Sequence, residues 1–213
     1  FMEALPLLRI ISGSDQNSHV DRVWMEVILK SIGPDGLFYI PTKGRPWARI
    51  NPAWTASPVW RADGTTTEPL DESVTQFTSP FLCGRIIGAM TIYYLRSKNP
   101  VWKETIEPMI QRLSQLAIDK GDYCFFPAGV FEPNAKISPD AKVPKGIWSV
   151  ESSGGRLIQG LAQYYKVTGY EPARKLAGKL VKCLRYHGEY YSEEGHFLPD
   201  NLGMPICHSA FRP

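Results

Sequence analysis

Gly155-Arg156-Leu157-Ile158, running on through Leu161-Ala162 to Tyr164-Tyr165, repeats a text that the chain has already carried: Gly84-Arg85-Ile86-Ile87, then Met90, then Tyr93-Tyr94. From Gly84 to Gly155 is 71 residues, and the interval persists further on, where Ile106, Met109, Ile110 and Leu113 fall opposite Ala177, Leu180, Val181 and Leu184. A repeat at a fixed period is the mark of an architecture built from one supersecondary unit. Each copy reads as an apolar-rich first helix, a short turn (Ser97-Lys98-Asn99-Pro100, then Thr168-Gly169-Tyr170-Glu171-Pro172) and a second helix with one apolar stripe. The unit is a helical hairpin.

A third, more diverged unit precedes these two. Met2 to Ile11 form a first helix, Ser12-Gly13-Ser14-Asp15 a break, and Ser18-His19-Val20-Asp21 the capping signal of the next. Val20, Val23, Trp24, Val27 and Ile28 then recur at the spacing that sets them on one inward face. Gly33 ends this helix in a left-handed cap, and Gly121 and Gly188 hold the same place after the later second helices. Behind each glycine comes an aromatic run closed by proline: Leu37-Phe38-Tyr39-Ile40-Pro41, Tyr123-Cys124-Phe125-Phe126-Pro127 and His196-Phe197-Leu198-Pro199. The expected fold is therefore all-α: three antiparallel hairpins in a single domain over residues 1–213, first helices inside and second helices outside.

Composition narrows the partners. A formal charge of +3 with 43% hydrophobic residues gives a sizeable core and no electrostatic case for nucleic acid. No basic-then-apolar leader and no apolar run of membrane-spanning length are seen, so no membrane partner is expected, and the compartment stays open. Cys83, Cys124, Cys183 and Cys207 are scattered without a C-x-x-C pair, and no H-E-x-x-H, G-x-S-x-G or phosphate-binding loop occurs. Neither metal nor cofactor is expected.

The connections between hairpins carry the functional signal. Pro41 to Thr75 and Pro127 to Ser153 far exceed the roughly 12 to 15 residues beyond which structureless loops become uncommon in compact domains. Trp47, Trp54, Trp60 and Trp148, four of the six tryptophans, lie in them. So do Arg45, Arg49, Arg61, Asp63, Glu68, Asp71, Glu72, Glu132, Asp140 and Glu151. Up-and-down topology places all these loops on one rim. Tryptophan, arginine and carboxylate together suit a sugar, whose C–H face stacks on an aromatic ring while its hydroxyls take charged hydrogen bonds. Bland alternatives stand beside this reading: the tryptophans glue the loops down, Arg85 and Arg156 bond neighbouring loop carbonyls, the tyrosine pairs pack the core and turns, and His187 sits as a cation at a helix end.

At Trp148-Ser149-Val150-Glu151-Ser152-Ser153-Gly154-Gly155-Arg156, followed by Gly169-Tyr170-Glu171-Pro172-Ala173-Arg174-Lys175-Leu176-Ala177, the chain resembles bacterial six-hairpin glycosidases related to β-L-arabinofuranosidases and β-glucuronidases. The resemblance covers about Val20 to His208. It implies a partial (α/α)6 toroid, three hairpins of six with Cys207 to Phe211 opening a fourth, and hence a fragment that self-associates through its exposed edge and whose activity belongs to the full length. It also implies glycoside hydrolysis. The Glu-with-three-Cys metal set of part of that group has no counterpart around Glu151.

Hydrolysis of a glycosidic bond needs two carboxylates, about 5 to 5.5 Å apart for retention or about 6.5 to 9.5 Å for inversion. Glu151, entering the best-defined inner helix beside Trp148, is the first candidate, with Asp200 or Glu132 as its partner. A glutamate in a first helical turn is equally well explained by the macrodipole. Trp47, Trp148, Arg45, Arg49, His196 and His208 are the candidate substrate-binding residues. The alternatives are a non-catalytic carbohydrate-binding or scaffold protein, and a lyase in which Arg45 or Arg49 pairs a uronate. An isoprenoid cyclase is excluded by the lack of an Asp-rich helix.

Overall fold

In the computed structural model, residues 3–43, 58–67, 73–143, 154–187 and 194 are described. They hold six helices: α1 (Ala4–Ser12), α2 (Ser18–Lys30), α3 (Pro80–Ser97), α4 (Val101–Leu116), α5 (Gly155–Thr168) and α6 (Glu171–His187). Seven two-residue strands lie between them: β1 (Ile40–Pro41), β2 (Val59–Trp60), β3 (Thr66–Thr67), β4 (Gln76–Phe77), β5 (Ile118–Asp119), β6 (Cys124–Phe125) and β7 (Val130–Phe131). The all-α expectation is thus corrected. Three small sheets, β1-β4, β3-β2-β7 and β5-β6, interleave with the helices, and the described elements show helix pairs and sheets rather than a toroid. The physical reason lies in the aromatic runs behind the first two second helices, His196 to Pro199 lying outside the described residues. Their backbones run extended and meet a partner, as in Ile40 opposite Phe77 and Ile118 opposite Phe125, where one or two ladder positions satisfy the amide groups.

The repeat survives at the turns. Gly13, Lys98 and Gly169 close the first helices of the three pairs in the left-handed conformation, with φ of 66°, 55° and 71°. Their amides donate to Arg9, Tyr94 and Tyr165 at 2.8, 2.8 and 2.7 Å. Ser79 caps α3 by accepting from the Leu82 amide at 3.3 Å, and Pro80 fits the first helical turn. The start of α2 differs from expectation. Asn17, not the Ser18 hydroxyl, stands at its cap, and Gly33 is not left-handed; Gly36 is, with φ of 84°.

One cluster of buried side chains runs from Ile28 on α2 through Met90, Trp102 and Ile110 to Leu161 and Leu184. α3 is buried on nearly every side, while α4 turns Trp102, Ile106, Met109, Ile110 and Leu113 inward from one face. α3 and α5 approach closely because both carry glycine at the crossing. A Cβ on Gly84 would lie 2.3 Å from the Leu157 Cα, and one on Gly160 would lie 2.3 Å from the Gly84 carbonyl oxygen. The tyrosines do what packing requires of them. Tyr93 stacks on Trp102 at 5.4 Å, and Tyr164 meets Tyr170 edge-on while donating to Glu107 at 2.9 Å.

On α2 the inward face is rotated from the apolar stripe. Asp21 and Ile28 are the buried residues, and Val23 faces solvent. Asp21 is drawn in by two guanidinium groups: Arg9 Nε donates to its carboxylate, and an Arg96 nitrogen lies 2.9 Å from the same oxygen. A buried charge persists when it is paired and hydrogen-bonded. The Val20–Ile28 periodicity carries no trace of that pairing.

Candidate functional site on the loop rim

The two long connections meet. β2, from the first, pairs in parallel with β7, from the second, with Val59 opposite Val130 and Trp60 opposite Phe131. The first and second hairpins stand 85 residues apart at their turns, Gly13 to Lys98, whereas the paired residues are 71 apart, so the strands join the two connections without being repeat equivalents. Val130 donates to the Pro58 carbonyl at 3.0 Å, Glu132 to Trp60 at 3.0 Å and Lys136 to Arg61 at 2.9 Å. Gly129 makes the approach possible. Its φ is 121°, and a Cβ there would sit 2.4 Å from the Pro58 oxygen. The Phe131 backbone also exchanges two 2.8 Å bonds with Thr78, just before α3, so the seam is fixed to the start of a buried helix.

Side chains tighten it. The Trp60 indole N–H donates to the Ala128 carbonyl at 3.1 Å, and one Glu132 oxygen accepts from the Ala62 amide at 3.0 Å. Arg61 lies 2.5 Å from the Ser73 hydroxyl. Asp63 caps its own turn, accepting from the Thr65 amide and hydroxyl at 2.9 and 2.7 Å, and these two bonds hold its carboxyl below the usual range. Asp140 is exposed.

Beneath the seam lies a hub that sequence reasoning missed. The Asp35 side chain, 6% exposed, accepts from the Tyr39 hydroxyl, which is 2.8 and 3.0 Å from its two oxygens. It also accepts from the Asn134 amide at 3.0 Å and lies 3.4 Å from both the Leu37 amide and Arg112 Nε. Arg112 in turn donates to the Ala135 carbonyl at 2.7 Å, and the Tyr39 hydroxyl lies 3.5 Å from the carbonyl of Glu132. Burial, then the Asp35 charge, drive the Tyr39 phenol far above its ordinary ionisation, so it stays a donor. Asp35 thereby ties the end of α2, the flank of α4 and the β7 loop together. In the sequence Gly33-Pro34-Asp35-Gly36 it has the look of a solvent turn, and nothing local signals Arg112 or Asn134.

Of the candidate catalytic residues, Glu132 is described, half-buried at the seam. Glu151 and Asp200 lie outside the described residues, as do Trp47, Trp148, Arg45, Arg49, His196 and His208. Arg85 is exposed, and Arg156 lies 3.2 Å from Gln159 on its own helix. His187 stacks on Tyr123 with ring centres 4.0 Å apart. Chemically, Asp35 has its lone pairs occupied and its approach buried, so it positions rather than reacts. Glu132 keeps one carboxylate oxygen beyond the bond to Ala62, which is the chemistry of a single acid, base or hydrogen-bond acceptor. Among the described residues no helix is long and apolar enough to cross a membrane.

Comparison with protein-family models, with curated proteins and with solved structures gives no match. Any activity must therefore be argued from this chain's own residues.

Proposed function

We propose that the chain is a carbohydrate-active protein of glycoside hydrolase type, with the loop rim as its sugar-facing surface. The observation that supports this reading is the β2–β7 seam, which gathers Trp60, Arg61 and Glu132 from the two long connections at one end of the helices. Aromatic, guanidinium and carboxylate groups are the chemistry that a pyranose engages. Glu151 and Glu132 are the acid/base pair, with Asp200 the alternative partner of Glu151. The experiment is a panel of plant and bacterial glycans with product analysis by mass spectrometry, run on the protein and on Glu132→Gln. The amide keeps an acceptor for the Ala62 N–H, so the seam stays intact while turnover falls by about 100-fold or more.

One observation favours a second reading. The Glu132 oxygen bonded to Ala62 and the Trp60 N–H bonded to Ala128 are used within the protein, as in a non-catalytic carbohydrate-binding or scaffold protein. Glycan binding without cleavage on any substrate identifies that case. An unsaturated, ultraviolet-absorbing product from a uronate polymer identifies a lyase instead.

A further inference from the structure

A cleft of about 250 Å³ opens where the end of α4 and the β5–β6 hairpin meet the first half of α6. It shares no residue with the β2–β7 seam. Its apolar lining is Ala117, Cys124, Pro172 and Leu176, of which Cys124 and Leu176 are buried. Its polar lining is Ser114, Asp119, Lys175 and Lys179. Ser114 donates to the Ile110 carbonyl at 2.9 Å, so the two lysines are the donors left to a ligand. Lys179 is held in place. Its ammonium lies 2.5 Å from one Asp119 oxygen, and the other accepts from the Gly121 amide at 2.9 Å, which anchors the pair to the turn between β5 and β6. An ammonium carries three donors, and Asp119 takes one. Lys175, one helical turn earlier, is exposed, and Glu171, the acid whose charge it feels, is held by Arg174 at 2.8 Å. Burial pushes the Cys124 thiol up to about 12, so it stays neutral. Lys175 and Lys179 against Asp119 leave the lining with a net charge of +1.

We infer that this cleft binds a small monocarboxylate with an apolar body. A concave site lined mainly by apolar groups, with a few polar groups to fix orientation, is the usual construction of a ligand pocket. The net charge selects one negative group. Lys175 and Lys179 are neighbours at i and i+4 on one helix, close enough to share a carboxylate through charge-assisted hydrogen bonds. Pro172 lies in the first turn of α6, where the helix dipole adds to the attraction for an anion. The apolar lining selects the rest of the molecule. A fully hydrated anion such as inorganic phosphate engages the lysines but leaves Ala117, Pro172 and Leu176 without an apolar partner, and an uncharged apolar molecule leaves both ammonium groups unused. The volume lies below the roughly 300 to 1,000 Å³ of pockets for drug-sized molecules, which limits the ligand to a short chain or a single ring. Because Asp119 already holds Lys179, less side-chain freedom is lost when the carboxylate arrives.

Titration of the full 213-residue chain with octanoate, followed by amide chemical shifts, tests this. Acetate serves as the charge alone and octanamide as the apolar body alone. Octanoate should saturate at one molecule per chain and shift residues 114–124 and 172–179, with both controls weaker by about threefold to fivefold or more. Lys175→Gln should weaken octanoate by about the same factor and leave octanamide unchanged. Asp119→Asn keeps an oxygen for the Gly121 amide and removes the one negative charge of the lining, so it should tighten octanoate binding. A purely structural role for Asp119 predicts the opposite sign. Ser114→Leu, at an exposed helical position, should close the cleft to octanoate while the melting temperature holds. Absence of saturable octanoate binding overturns the inference. So do acetate or octanamide binding as tightly as octanoate, shifts confined to the exposed aliphatic residues of α1, or binding that neither Ser114→Leu nor Asp119→Asn alters.

Discussion

Arg112 Nε lies 3.4 Å from an Asp35 oxygen, and the same guanidinium donates to the Ala135 carbonyl at 2.7 Å, so one side chain joins a turn after α2 to the loop after β7. Removing the charge from Asp35 leaves Arg112 buried without its counter-ion and weakens what Tyr39 and Asn134 donate to. Asp35→Asn should lower stability by about 3 kcal/mol, the scale of breaking a largely buried pair from one side. Urea unfolding measures this. Hydrogen exchange should show the earliest opening in residues 128–136, and uniform loosening of the helices instead would deny Asp35 its local role.

Lys98 occupies the left-handed cap that glycine occupies at 13 and 169. A side chain in that conformation costs on the order of 1 kcal/mol, which glycine avoids. Lys98→Gly should therefore raise the melting temperature, and Gly169→Ala should lower it.

The α3–α5 crossing gives a paired expectation. Gly84→Ala places a methyl group into the backbone of Leu157 and should cost about 3 kcal/mol or more, because backbone atoms cannot step aside. Gly178, exposed within α6 with nothing within 4 Å of an added Cβ, should gain up to about 1 kcal/mol on replacement by alanine. Equal effects at the two sites would mean that the helices do not cross where described.

Alkali should destabilise the protein, in part through its buried thiols. Burial pushes Cys83 from 9.0 up to about 11, with the Thr78 hydroxyl 3.3 Å away, and Cys124 up to about 12. The folded state keeps a proton that the unfolded state releases, so the contribution is complete below pH 9.0 and is lost as pH rises toward 11. Between those limits Cys83 alone should lower stability by about 1.4 kcal/mol per pH unit. Chemical denaturation at a series of alkaline pH values reads the slope, and Cys83→Ala should make it shallower by that share, leaving the part that comes from Cys124.

Repetition made the helices legible, because Gly84 and Gly155 head texts similar enough to fix both hairpins and their turns. The strands were not legible. Two residues cannot display an alternating pattern, and Ile40, Val59 and Cys124 pair through backbone atoms, which carry no side-chain signature. The buried charges were hidden for a different reason. Asp21 meets Arg9 from α1 and Arg96 from α3, 12 and 75 residues away, and Asp35 meets Arg112 77 residues away on α4; a carboxylate beside a helix start or a glycine reads as solvated until its partner is known.

Val59 and Val130 meet through backbone atoms, so the seam depends on chain length more than on side-chain identity. One residue inserted between Gly129 and Glu132 displaces the bonds to Pro58, Trp60 and Thr78 together. The three contacts stand or fall as one, and substitution is tolerated there where insertion is not.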